Sequence, residues 1–140
     1  MERIYETYLK IVKNACTDSH RTESVNPADL PTLAELAQNH CTVPYILPYL
    51  KSVSNYPFLK SQVKNMMLNY YQIEHFTLLT VSLLRDHNID CYLLKGLSLA
   101  ACYPVPEYRK LGDLDLYLAD PADLSNAQAV LESSGYVPEE

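Results

Sequence analysis

Asp113 and Asp115 stand two residues apart in Gly112-Asp113-Leu114-Asp115-Leu116-Tyr117-Leu118, where leucines fill the alternate positions. In an extended strand alternate side chains share a face, so the two carboxylates project together about 6.5–7 Å apart. Leu114, Leu116 and Leu118 then point the other way, into a core. Two adjacent acids repel unless a cation lies between them, and hard oxygen donors favour Mg2+ or Mn2+. The pair is a candidate metal site with Asp113 and Asp115 as ligands.

Upstream, Cys91-Tyr92-Leu93-Leu94 reads as a short buried strand ending at Lys95-Gly96. Leu97 to Tyr103 suits a helix, which Pro104 and Pro106 end. Gly96 thus occupies a strand-to-helix turn, where a missing Cβ lets backbone N–H groups approach a phosphate at a helix N-terminus. Lys95 and Ser98 would add a charge and a hydroxyl. Alone, the glycine fits a plain structural turn. The acid pair on the next strand changes the balance, because a phosphate cradle beside two carboxylates is what a metal–triphosphate requires.

The elements that must position these groups follow from periodicity and punctuation. No glycine precedes Gly96, which suits helices. Ile4, Tyr8, Ile11, Val12 and Ala15 recur at spacings of three and four, predicting an amphipathic helix over 2–15. Thr17 to Pro27 reads as a loop. Asn26-Pro27-Ala28-Asp29 and Pro31 mark the start of a helix with Leu33, Leu36 and Ala37 as its stripe. A second short helical segment runs to about Leu50, and 51–57 form a linker. From Phe58 to His87 neither proline nor glycine occurs. Val63, Met66, Met67, Tyr70, Ile73, Phe76, Leu79 or Thr80, and Leu83 recur at helical spacing, so one long helix is expected, with the methionines in its core stripe. His20, His40, His75 and His87 lack partners at ligand spacing and read as ordinary surface or core histidines. The second strand spans roughly Leu114 to Ala119. A helix from Ala122 or Asp123 to Ser133 follows, burying Leu124, Ala127, Val130 and Leu131, with Asp120 and Asp123 as N-cap candidates. Gly135 is its C-terminal cap, and Tyr136-Val137 begins a third strand.

This pattern is α+β: an N-terminal helical region, residues 1–88, whose long helix packs on a small sheet of two to three strands in residues 89–140. The chain has 140 residues and a net charge of −6, so no overall basic surface advertises nucleic-acid or membrane binding. Only Lys95, Arg109 and Lys110 supply positive charge near the acid pair. The four cysteines have no zinc-like spacing, and nothing reads as a secretory signal or membrane span, so a cytoplasmic location is expected. Twelve tyrosines against two phenylalanines make the aromatic packing rich in hydroxyls.

Lys95-Gly96, Tyr103-Pro104, Arg109, Gly112-Asp113-Leu114-Asp115-Leu116 and the closing Gly135-Tyr136 together resemble the uncharacterised nucleotidyltransferase family of the polymerase-beta-like nucleotidyltransferase superfamily. Leu33-Ala34-Glu35-Leu36-Ala37 and Val43-Pro44 extend the resemblance upstream, to about residues 28–140. The resemblance implies that 89–140 is a partial nucleotidyltransferase core with a truncated sheet. It implies two-metal transfer of NMP from an NTP to an acceptor hydroxyl, with Asp113 and Asp115 as catalytic ligands of Mg2+ (or Mn2+). The Gly96 turn, with Ser98 and Lys95, would bind the nucleotide. Arg109 would either neutralise phosphate charge or anchor its loop by pairing with a carboxylate.

Two positions depart from the superfamily pattern. Leu97 stands where a small residue usually follows the turn glycine. The third catalytic carboxylate belongs to a later strand beyond Gly135, where only Glu139 and Glu140 remain, so it is expected to be missing. The competing readings are a nucleotidyltransferase acting on an unknown acceptor, a catalytically incomplete relative that binds a nucleotide or protein, and a helical interaction module. A short sheet with an open edge also predicts a homo-oligomer, formed through that edge or through the long helix.

Overall fold

Apolar residues at spacings of three and four make Glu2–Cys16 an amphipathic helix, α1, which buries Tyr8 and Ile11. The computed structural model describes residues 2–17, 23–50 and 57–138; His20, most of the 51–57 linker, and Glu139 and Glu140 lie outside them. The Asn26 side chain accepts from the Ala28 N–H and starts a 3-10 turn, Pro27–Asp29, that leads into α2 (Leu30–Asn39). A short α3 (Val43–Leu50) follows. Leu33, Ala37 and Ile46 are fully enclosed, and Leu59 and Val63 from the next helix complete this all-helical core.

That next helix, α4 (Pro57–Asp86), has 30 residues and so runs about 45 Å. It joins three apolar clusters. Its first turns enter the helical core through Leu59 and Val63. Its middle places Tyr70 against Ala100 and Leu111. Its last turns set Leu84 against Ile89, Ala127 and Val130.

The buried face of α4 differs from the expected stripe. Met66 and Met67 are only half-buried, Phe76 and Leu79 are exposed, and Leu59, Thr77, Thr80 and Leu84 are buried instead. The two threonines are tolerated because their hydroxyls donate to the Ile73 and Phe76 carbonyls at 2.7 and 2.9 Å.

The sheet is an antiparallel pair, β1 (Cys91–Leu94) and β2 (Asp115–Leu118), in register Cys91↔Leu118 through Leu94↔Asp115. Cys91, Leu116 and Leu118 face the Leu84 cluster. β1 is not a buried strand as expected: Tyr92 is 61% and Leu94 43% exposed, because the sheet's outer face carries no covering element among the described residues. A brief helix, α5 (Gly96–Ala100), follows β1, and a 3-10 turn, Pro106–Tyr108, lies in the long connection to β2.

After β2, the Asp120 side chain accepts from the Ala122 N–H and caps a 3-10 turn, Pro121–Asp123, before α6 (Leu124–Ser133). Asp123 makes no such bond. Ala127 and Val130 are buried as expected, whereas Leu124 is exposed. Tyr136 does not begin a strand. Its ring lies 5.5 Å from that of Phe76 and its hydroxyl bonds Thr80 at 2.8 Å, so the chain turns onto α4 rather than alongside the sheet.

Helices α2, α4 and α6 end alike. The residue after the cap, Cys41, Asn88 or Gly135, has positive φ (56°, 58° and 94°), and the following N–H reaches back to the carbonyl of Ala37, Leu84 or Leu131. Glycine takes that conformation without strain at position 135, as the sequence predicts. At 88 the turn also buries Ile89 against Leu84 and aims the chain into β1.

Candidate functional site

The Leu94↔Asp115 pairing sets the end of β1 beside the start of β2. Residues directly opposite in an antiparallel pair share a face. Asp115 therefore lies on the outer face with Leu94, Tyr92 and Tyr117, and the two tyrosine rings sit 6.5 Å apart. Asp113 is not within β2. It lies two residues before the strand, exposed, in the irregular approach from Gly112.

The turn after β1 is unusual. Lys95 has φ 44° and ψ −132°, a region costly for a side chain with a Cβ. Gly96 follows with φ +33°, and a Cβ there would stand 3.6 Å from the Asp113 carbonyl oxygen. The turn and the aspartate segment are thus in contact through backbone. Three bonds hold the turn. The Ser98 hydroxyl and the Leu99 N–H both donate to the Lys95 carbonyl. Arg109 Nη1 donates to the Gly96 carbonyl at 3.0 Å. Arg109 anchors its loop as one of its two expected roles required, but through a carbonyl rather than a carboxylate. Lys95 turns back over the strand end, its Nζ 3.4 Å from Asp115 Oδ2. Leu97, the departure after the turn glycine, packs into the Tyr70–Ala100–Leu111 cluster and ties the turn to α4.

Three contacts that the sequence did not signal fix the connection between the strands. Asn69 Nδ2 on α4 donates to the Leu111 carbonyl at 2.8 Å. The Tyr71 hydroxyl donates to Glu107 Oε1 at 2.6 Å, which draws the Glu107 carboxyl below its usual range and pushes the Tyr71 phenol up. Tyr108 meets Tyr45 of α3 edge to face, the rings 5.9 Å apart. Burial foremost, with the Cys16 thiol nearby, pushes the Tyr45 phenol upward.

The carboxylates that a divalent cation shared with a substrate would need here are those of Asp113 and Asp115. Asp115 is half-exposed and Asp113 exposed, so their carboxylates are open to solvent. Among the described residues no group of three or more His, Cys, Asp or Glu is placed to hold a metal by itself. Carboxylate oxygens are hard donors of the kind a divalent cation takes together with phosphate and water. The Lys95 ammonium beside Asp115 shows that positive charge is accommodated there.

Among the described residues, three grooves flank this region. One of about 460 Å3 lies between α2, α4 and Lys110-Leu111. One of about 280 Å3 lies on the other side of Arg109 and Lys110, under Tyr45 and Tyr108. An apolar one of about 410 Å3 separates β2 from α6. Neither aspartate lines any of the three.

A helical scaffold bearing a small antiparallel sheet, with a strand–Gly turn–helix leading to an acid pair, defines an α+β protein of the nucleotidyltransferase class. The model of the uncharacterised nucleotidyltransferase family matches residues 26–140, and the chain belongs to that family. No curated protein and no solved structure matches the chain. Membership implies an NTP substrate, and nucleotidyltransferases generally use divalent metals. Among the described residues no helix is long and apolar enough to cross a membrane.

Proposed function

We propose that the chain transfers NMP from an NTP to an acceptor hydroxyl, with Asp113 and Asp115 as the metal-binding carboxylates. The observation that supports this best is the meeting of Asp115 with the Lys95-Gly96 turn, made by the Leu94↔Asp115 pairing and the 3.4 Å contact from Lys95. Asp113 and Asp115 would hold Mg2+ or Mn2+, which when bound neutralises triphosphate charge and favours the ionised acceptor hydroxyl.

The remaining roles fall to the chain itself. The N–H groups that open α5 at Gly96 have no partner one turn earlier in the helix and serve the β- and γ-phosphates. Ser98 and Arg109 act by holding the carbonyls of Lys95 and Gly96, which keeps those N–H groups directed outward. Lys95 adds a positive charge that moves from Asp115 to phosphate. In the transfer an acceptor oxygen–Pα bond forms, the α–β phosphoanhydride breaks, pyrophosphate leaves, and the acceptor proton passes to solvent.

In this reading residues 1–88 are the support and 89–140 the nucleotide half-site, with α4 bracing both. The four cysteines are free thiols, in keeping with a cytoplasmic location. Self-association through the open sheet edge or the outward face of α4, where Leu68, Leu78 and Leu79 are exposed, belongs to the same proposal.

Calorimetry of NTP binding in Mg2+ or Mn2+ is the test, comparing wild type with Asp113→Ala/Asp115→Ala. Metal-dependent binding should disappear in the double variant. Equal binding by the two proteins would sink the metal-site assignment. Binding without NTP consumption by any acceptor, whether RNA, protein, sugar or small molecule, would favour a binding-only role.

A further inference from the structure

We propose that the groove between α2, α4 and the Lys110-Leu111 loop receives the base of the donor nucleotide. This rests on the proposed function only in placing the triphosphate at the acid pair. The groove's volume, about 460 Å3, lies within the range of small-ligand sites. Its chemistry is distinctive. Gln38, Gln62, Asn65 and Asn69 bring four carboxamides to it; among the described residues Lys110 is its one charged residue and no carboxylate lines it, in a chain with seventeen acidic residues. Val43, Met66 and Leu111 supply apolar surface between them.

Carboxamides carry a donor and an acceptor side by side, the pattern that matches the edge of a purine or pyrimidine, and apolar side chains suit its faces. The hydrogen bonds already made leave capacity for a ligand. Gln38 Nε2 donates to Gln62 Oε1 at 3.4 Å, leaving the Gln38 oxygen and the Gln62 NH2. Asn69 spends one donor on the Leu111 carbonyl, and Asn65 makes no side-chain hydrogen bond among the described residues.

Position also agrees. Lys110 and Asp113 are three residues apart, so at most about 10 Å separates their Cα atoms. A nucleotide spans about that distance between its base and its phosphates. With the base in the groove, the positive charge of Lys110, which lines it, lies three residues before Asp113. The Asn69 bond to Leu111 then links the base pocket directly to the segment that carries the acids.

The test titrates the full chain with guanosine, adenosine, cytidine and uridine, without metal, following the side-chain NH2 resonances of Gln38, Gln62, Asn65 and Asn69 by 15N NMR. At least one nucleoside should shift these resonances together and saturably. Gln62→Ala/Asn65→Ala, at exposed helix positions that alanine suits, should weaken that binding about tenfold. Asp113→Ala/Asp115→Ala should leave it unchanged. No shift with any nucleoside at millimolar concentration, or shifts centred away from the groove, would overturn the proposal. In Mg2+, the matching NTP should bind at least tenfold tighter than tripolyphosphate, and Gln62→Ala/Asn65→Ala should erase that margin. A groove that binds nucleoside but gives its NTP no margin would overturn the assignment to the donor. Failure of tripolyphosphate to bind the wild type would count against the metal site, while the nucleoside shifts would still decide the groove.

Discussion

Lys95 Nζ lies 3.4 Å from Asp115 Oδ2, and the same lysine holds the most strained backbone of the turn, φ 44° and ψ −132°. The side chain that neutralises one member of the acid pair is therefore fixed by the turn proposed to receive phosphate. Both groups are substantially solvated, so the pair adds little to stability, at most about 0.5 kcal/mol after screening. Its consequence is competition: the ammonium and a divalent cation seek the same carboxylate. Lys95→Met should raise Mn2+ affinity in the absence of nucleotide about two- to fivefold, and lower NTP affinity by removing a charge that faces the phosphates. Calorimetry with metal alone and then with metal plus NTP separates the two effects. A fall in metal affinity would contradict this role.

Arg109 reaches Gly96 through a charge-assisted bond to a part-buried carbonyl. Removing it leaves that carbonyl without its donor, at a cost of about 1–3 kcal/mol. Arg109→Ala should speed hydrogen exchange over 95–100 and weaken NTP binding, and Arg109→Lys should restore little, since a flexible ammonium does not reproduce the guanidinium's fixed geometry. Unchanged exchange in the alanine variant would dissociate Arg109 from the turn.

Gly96→Ala tests the backbone itself. A Cβ at this position meets the Asp113 carbonyl oxygen at 3.6 Å, an ordinary contact, so no clash is expected. The cost comes from φ +33° and should be about 1 kcal/mol, read as a small fall in thermal midpoint. Because the turn relaxes toward negative φ, the loss in NTP binding should exceed the loss in stability.

The Tyr71–Glu107 bond sets a pH window for the order of the 106–109 loop. Glu107 titrates below its usual range when folded, so its contribution is complete above the unfolded value and is lost as pH falls through the folded one. Tyr71 titrates above its usual range, so its contribution is complete below the unfolded value and is lost as pH rises through the folded one. Protection factors in this loop, exchange rates corrected for the intrinsic pH dependence of amide exchange, should thus be highest near neutrality, falling in acid as Glu107 protonates and in alkali as Tyr71 ionises. Tyr71→Phe should flatten the profile and raise exchange at pH 7. A variant with the wild-type profile would show that the bond does not order the loop.

The chain's local features were legible in its residues. Apolar spacing gave α1, α2 and the long α4, Gly135 ended α6 with φ 94°, and leucines alternating with aspartates placed β2 and its outward acid. Each depends on near neighbours, whose geometry repeats with the element. Burial along α4 was less legible. A period of 3.6 establishes a helix but not which side each turn buries, and α4 meets three clusters in succession, so Thr77 and Thr80 go inside while Leu79 stays out.

The supports of the candidate site depend on pairs that no spacing rule connects. Asn69 and Leu111 are 42 residues apart, Tyr71 and Glu107 are 36 apart, and Arg109 meets Gly96 across 13. By itself the sequence determined the class of protein and marked the candidate residues for its chemistry, because side-chain type and local periodicity are written in order along the chain. Only the tertiary structure decided that Lys95 lies against Asp115, that Arg109 holds a carbonyl, and that four carboxamides line one groove. Those meetings arise from packing α4 against everything else, and packing brings together residues that the chain keeps far apart.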